Sequence, residues 1–362
     1  AFRTPCKDST GVAHIIEHSV LCGSKKFPIK DPFLQLRNQS INTYLNAYTA
    51  KDRTVFPASS LIKTDYFNLM SVYADAVFFP ILNVETFLQE GWRIETDQNG
   101  NPVIQGVVFN EMKGNYSSFN SVATDAVLNA SVLGTGYEKD SGGDPLEIPT
   151  LSYEQFKEFH KKYYCAANCL VFLYGNIPTE EQLDFLNENV IKNIKSFGKK
   201  YSFDSENSFV KMKKRIDAFG PAEDSKNTMA LVWKIGDSAE KENLFSLPME
   251  ISFLSELLLG NDSAPVIKLL LNKFKGCDIA PQTGCSISSR FFSIAVGMNG
   301  LKPEEAQEFQ NCIDDSMKLL AENGIKEEDI ERSFMSFDFS IREVKRSPSH
   351  GPYSLVLLKR VF

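Results

Sequence analysis

The chain has 362 residues, 43% of them hydrophobic and 23% charged, and a net charge of −7. That length supplies about two domains with full cores, and no apolar run approaches the roughly 20 residues that span a bilayer. The acidic balance argues against a nucleic-acid partner and suits cationic peptides, while seven cysteines without a C-x-x-C pair exclude a disulfide framework and fit a reducing compartment.

Taken in chain order, residues 1–4 are long enough only for the end of a strand. Asp8-Ser-Thr-Gly11 then supplies N-cap chemistry, and Gly23 stands where a glycine ends a helix. The residues between them predict a helix of about three turns. Inside it, His14-Ile-Ile-Glu17-His18 sets positions i, i+3 and i+4 on one face. Two imidazoles one turn apart can reach one zinc ion, and a carboxylate beside them can handle the proton of a water held there. This H-x-x-E-H order inverts the H-E-x-x-H of zinc proteases, in a chain with only 4 histidines. The bland alternative is a surface helix with two solvated histidines and an acid.

Residues 40–49 and 54–57 predict a hairpin around a turn at 51–53. Residues 61–79 predict a helix in which Phe67, Met70, Tyr73, Ala74, Val77 and Phe78 form a core stripe. A further helix is expected over 84–92, then residues 93–96 and a turn at 97–100. Residues 106–114, GVVFNEMKG, form a short helical segment with Glu111 as its one acid. Read alone, Glu111 is a surface glutamate, the common state of an acid, or a ligand brought to the histidines from elsewhere. Residues 134–144 lack the strand–loop–helix setting of a phosphate cradle and count as a loop. Ser152-Tyr-Glu-Gln155 is a capping box opening a helix to about residue 164, with His160 as a structural histidine. Residues 170–174 predict a strand, and Thr179-Glu-Glu-Gln182 caps a helix to about residue 194.

Residues 195–208 are polar and predict a linker, and Lys211-Met-Lys-Lys-Arg215 a solvated face. The same style of elements then returns: a strand at 229–235, a helix at 245–259, a strand at 286–297 and a helix at 302–323. Phe253-Leu-Ser-Glu-Leu257 stands before Gly260 as H-x-x-E-H stands before Gly23, which points to a duplicated domain without the metal site. The expected division is a zinc-binding domain at 1–203 and a second related domain at 204–362. His350 has no partner in sight. Both ends read as cut, so the chain is expected to be an excerpt, with any targeting segment outside it.

The motif helix with LCGS behind it, LNAYTAKDRT, FLQEGWRIE, GVVFNEMKG and SGGDP follow one another in this order. Together they resemble the pitrilysin (insulinase) metallopeptidases, in particular the presequence proteases and falcilysins. The resemblance implies an α+β fold of two related domains, each a mostly antiparallel sheet packed with helices (LuxS/MPP-like). It implies one zinc ion on His14, His18 and Glu111, with Glu17 as general base. It also makes Leu45, Asn46, Ala47, Tyr48 and Thr49 the edge strand that pairs with substrate backbone. The partners implied are unfolded peptides, such as cleaved targeting presequences, and a missing C-terminal half of the same protein; the compartment implied is an organelle matrix. Two other readings share the fold: a non-catalytic structural subunit, against which intact His14, Glu17, His18 and Glu111 speak, and a site-specific presequence-processing subunit.

Overall fold

The computed structural model describes residues 1–201, 227–240 and 246–343, with Asp217, Ala218, Gly220, Leu355 and Leu358. The basic cluster at 211–215, the end of the expected linker and His350 lie outside the described residues. In chain order come β1 (Phe2–Arg3), α1 (Val12–Val20), α2 (Pro32–Gln39), β2 (Asn42–Leu45), β3 (Tyr48–Thr49), β4 (Arg53–Val55) and β5 (Ala58–Ser60). They are followed by α3 (Lys63–Phe78), α4 (Val84–Glu90), β6 (Arg93–Thr96), β7 (Pro102–Gln105), α5 (Val107–Tyr116) and α6 (Phe119–Ser131). Next are α7 (Tyr153–Tyr163), α8 (Thr179–Asn189), β8 (Thr228–Asp237), α9 (Ser246–Leu259) and α10 (Pro265–Lys273). The chain continues through β9 (Asp278–Ile279), β10 (Gly284–Ser286), β11 (Phe291–Asn299), α11 (Ala306–Asn323) and α12 (Glu327–Arg342). Among the described residues no helix is long and apolar enough to cross a membrane.

The chain divides into two compact units, one of Ala1–Gly114, Lys139–Asp204 and Lys345–Phe362, the other of Asn115–Glu138 and Ser205–Val344. A single cut after residue 203 is therefore too simple. The segment Asn115–Glu138 leaves the first unit because α6 packs on β8 and Tyr137 sets its ring edge-on to Phe291 at 5.2 Å. Leu355 and Leu358 belong to the first unit because they bury with Val55.

In the first unit β1, β4 and β3 form one antiparallel sheet in that order, β2 pairs with β5, and β6 pairs with β7. Beneath them α1 buries Ala13, Ile15, Ile16 and Val20 completely, each larger side chain contributing roughly 1.5–3 kcal/mol. Phe2 joins this core stacked on Tyr164 at 4.6 Å, with Phe78 edge-on at 5.6 Å. His160 is also interior. It stacks on Tyr164 at 4.9 Å, and its Nε2–H donates to the Val77 carbonyl at 2.9 Å. Burial pushes its pKa down to about 4 despite that bond.

Several local expectations change. Asp8 does not cap α1: its carboxylate accepts from the Thr10 amide and hydroxyl, and Gly11 is the N-cap without a side-chain bond. Pro178, not Thr179, precedes α8. The strand expected at 170–174 is reduced to a bridge of Cys169 to Phe2 and a bond from Leu170 N–H to the Ala1 carbonyl. Helices α2, α6, α10 and α12 had no clear sequence signal.

In the second unit β11 lies between β10 and β8, all antiparallel, and β9 pairs with the end of β11. The strand expected at 286–297 is two, because the chain reverses between Ser286 and Phe291. Arg290 in that turn folds inward and donates to both carboxylate oxygens of Asp237 at 2.9–3.1 Å. Leu258, Leu270, Val296, Met298, Phe309 and Ile313 centre the core.

Breaking the buried Arg290–Asp237 pair leaves an uncompensated charge, so Asp237→Ala should cost about 3–5 kcal/mol, read from urea unfolding of the chain. His160 predicts a pH effect. Unfolded, it titrates near 6.5; folded, near 4. Between those values the unfolded state binds the extra proton, so stability falls as pH falls through that window, by about 3 kcal/mol in total. His160→Gln should flatten the dependence of the urea midpoint on pH across that range.

Candidate metal centre

α1 is built to be approached closely at its start. Gly11 has φ +67, and a Cβ there would lie 2.6 Å from the Gly142 carbonyl oxygen and 2.9 Å from Gly143 Cα. The left-handed conformation suits glycine, and the bare backbone lets the SGGDP loop sit against the helix. His14 and His18 follow with ring centroids 4.9 Å apart, as i, i+4 spacing requires.

Glu111 arrives from a different part of the chain. After α4, Gly91 and Trp92 lead into the β6–β7 hairpin, which returns to Gly106 and then α5. A Cβ on Gly106 would fall 2.0 Å from the Gly91 carbonyl oxygen, so the base of the hairpin closes this tightly only because Gly106 carries no side chain. Trp92 Nε1–H anchors it to the Leu151 carbonyl at 3.0 Å. α5 then carries Glu111 to the histidines: Glu111 Oε2 lies 3.8 Å from His14 Nε2 and 3.8 Å from His18 Nε2. One donor atom from each residue falls within 4.8 Å of the others, the one group of its kind among the described residues.

Each imidazole has its other nitrogen engaged. His14 Nδ1–H donates to the Gly142 carbonyl at 3.0 Å, and His18 Nδ1 faces Glu90 Oε2 at 3.3 Å. A carbonyl only accepts, so His14 carries its proton on Nδ1 and keeps the Nε2 lone pair toward Glu111. Burial pushes the His18 pKa down, but the Glu90 hydrogen bond and the surrounding carboxylates outweigh it and leave it raised. Burial pushes Glu90 up, and the bonds from His18 and Gln89 outweigh that and leave it lowered.

Glu17 is buried in the same helix. The Thr49 hydroxyl donates to its Oε2 at 2.7 Å. Burial raises its pKa above the usual carboxylate range, with the Thr49 bond and the two histidines pulling the other way. The five residues of the expected edge strand are not one strand. Leu45 ends β2 against Ala58, Asn46 and Ala47 lie between strands, and Tyr48 and Thr49 form β3 against β4. Sequence reasoning left three contributors unassigned: Glu90, the Gly142 carbonyl and the Thr49 hydroxyl as partner of Glu17. Glu90 and Gly142 stood inside the quoted stretches FLQEGWRIE and SGGDP, but their contacts depend on tertiary packing.

Residues 4–124 match a family model described as Insulinase (Peptidase family M16), and residues 150–336 match one described as Peptidase M16 inactive domain. Protein HypA of Clostridium perfringens is 40% identical over 349 residues, covering 94% of this chain and 35% of that protein. The mitochondrial presequence protease of Xenopus laevis is 34% identical over 355 residues, covering 96% and 34%. The chain thus spans about a third of the length of these relatives, which come from a bacterium and from an animal mitochondrion. The crystal structure of a protease from Helicobacter pylori matches with a TM-score of 0.72 at 16% identity, covering 99% of this chain and 81% of that one. It shares the α+β fold.

The tight contact at Gly11 yields a stability prediction. Gly11→Ala forces a side chain into the Gly142 backbone at positive φ and should cost roughly 2–4 kcal/mol. Gly114→Ala, in α5 with nothing within 4 Å of its Cβ position, should instead be neutral or stabilising by up to about 1 kcal/mol. Urea midpoints of the two variants make the comparison.

Proposed function

Since the chain belongs to the insulinase family of peptidases, peptidase family M16, we propose that it carries the zinc centre of a metalloendopeptidase acting on unfolded peptides. The observation that supports this most is the donor set His14 Nε2, His18 Nε2 and Glu111 Oε2 gathered within 4.8 Å. Two nitrogens and one oxygen are a zinc set with a position left open. The 3.8 Å separations approach the spacing of about 3.4 Å between ligands of a tetrahedral ion with bonds near 2.0–2.1 Å. Both Nδ1 atoms are engaged elsewhere, as ligating histidines require.

Zinc held there supplies Lewis acidity toward a carbonyl oxygen and makes water more acidic. The chain's own groups do the rest. Glu17 is the general base: Thr49 occupies Oε2, which leaves Oε1 to take the proton of the attacking water. Its raised pKa suits a carboxylate that must then return that proton to the leaving amine. Glu111 is half exposed, so the centre opens toward arriving substrate.

Among the described residues β3 pairs only with β4, so the backbone of Tyr48 and Thr49 offers an edge to an extended peptide. Leu45, Asn46 and Ala47 continue that approach as a less regular rim. Backbone pairing gives affinity without strict sequence choice, which fits an oligopeptidase such as one that degrades cleaved presequences. The relatives are about three times as long as this chain, and the rest of such a protein would contribute further substrate contacts.

Elemental analysis and peptide digestion test this on the intact protein. Glu17→Gln should keep zinc while losing at least about 100-fold in hydrolysis; normal turnover would remove Glu17 from the mechanism. Glu111→Ala should lower zinc content, and unchanged stoichiometry would count against its ligand role. A mixed digest of unstructured peptides should show many cuts, where a site-specific processor would make one.

A further inference from the structure

The stretch FLQEGWRIE supplies an acid that the proposed function leaves without a role. Glu90 ends α4 with its side chain only 8% exposed, beside His18. A carboxylate there is disfavoured twice: burial strips its water, and a helix C-terminus carries the negative end of the macrodipole. An apolar residue would fill the space without either cost. What the acid gains is a set of donors: His18 Nδ1 at 3.3 Å from Oε2, Gln89 Nε2–H at 2.8 Å from Oε1, and the Cys22 thiol. Gly91 makes the approach possible. A Cβ there would meet the Phe87 carbonyl oxygen at 2.8 Å and Ile15 Cγ2 at 3.3 Å, so the end of α4 rests on α1 just before His18.

We propose that Glu90 is a positioning residue of the metal centre, whose carboxylate keeps the His18 proton on Nδ1 and fixes the plane of that ring. This rests on the zinc reading of the same site. Without the acceptor both neutral tautomers of His18 are open, and the one protonated on Nε2 has no lone pair to give. His14 depends on a different partner, the Gly142 carbonyl, which belongs to the backbone. Loss of Glu90 should therefore disturb one ligand and spare the other.

The test uses the chain first metal-free and then with zinc alone. Histidine 15N shifts at alkaline pH report the tautomer of each ring, and 4 histidines keep the spectrum assignable. The parent should show His18 protonated on Nδ1, and Glu90→Ala a mixture at His18 with His14 unchanged. Zinc affinity, from competition with a chromophoric chelator, should fall roughly 10–100-fold in Glu90→Ala. Glu90→Gln should fall less, because its amide oxygen still accepts; it also retains shape and polarity, so it reports if the alanine variant fails to fold. An unchanged His18 tautomer with zinc affinity within about twofold of the parent in the folded variants overturns the proposal, since outer-sphere partners normally matter more than that. The two readings also fail separately. If His14→Ala abolishes zinc binding while both Glu90 variants keep it, only the Glu90 inference falls. If the parent binds no zinc but Glu90→Ala still releases the His18 tautomer, the zinc reading falls and the hold of Glu90 on His18 stands.

Discussion

The geometry of the site depends on what the two imidazoles of α1 meet at Nδ1. His14 and His18 aim their Nε2 atoms at Glu111 because each Nδ1 already has an oxygen partner, the Gly142 carbonyl for one and the Glu90 carboxylate for the other. Neither partner lies near α1 in sequence. The structure therefore has to bring a loop about 130 residues downstream and the end of α4 against the same helix. The glycines at 11, 91, 106 and 142 stand at those approaches, where a Cβ would meet another atom at 2.0–2.9 Å. Backbone closeness at these points converts one helical motif into a three-dimensional donor set.

Thr49 ties this set to the sheet. Its backbone pairs with Thr54 in β4 while its hydroxyl reaches Glu17, so a single residue spans the sheet edge and the buried carboxylate. Behind it Tyr73 donates its hydroxyl to the Asn46 carbonyl at 3.0 Å. The irregular segment between β2 and β3 is thereby fixed from beneath, although it forms no ladder of its own. Rigid support of this kind is what a site needs if small displacements are not to spoil its alignment.

Much of this was legible in the sequence, and the limits are physical. The i, i+3, i+4 spacing of His14, Glu17 and His18 is a local property, so one helix was enough to read it. The capping box at Ser152 and Gln155 also formed as expected, with both reciprocal bonds present. By contrast, nothing in GVVFNEMKG distinguished Glu111 from a solvated acid; only the family resemblance suggested a ligand role, and only the hairpin closure at Gly91 and Gly106 brings it to 3.8 Å. Glu90 was harder still, because a buried acid at a helix end contradicts every local preference and is explained only by its neighbour on another helix. α2 was missed because its eight residues show no sustained apolar period, and Pro32 with the positive φ of Asp31 starts it. α6 escaped notice because its packing partner, β8, lies about 100 residues ahead.

The second unit has a helix in which the same spacing carries no histidine. Strand, helix and proline-led helix follow in order there as β8, α9 and α10, just as β1, α1 and α2 do in the first unit. In α9 the spacing of H-x-x-E-H is occupied by Phe253, Glu256 and Leu257. Phe253 packs against Phe334 at 6.0 Å and Phe337 at 5.5 Å of α12, and Leu257 is buried. Glu256 accepts from the Ser336 hydroxyl at 3.1 Å. Phe253 and Glu256 thus tie α9 to α12, which covers the face at this spacing. A helix face can serve packing or chemistry, since a ligand set must stay reachable while a core must exclude water. The first unit keeps its face open by burying Ile15 and Ile16 on the other sides of α1, and the second closes its own with phenylalanine.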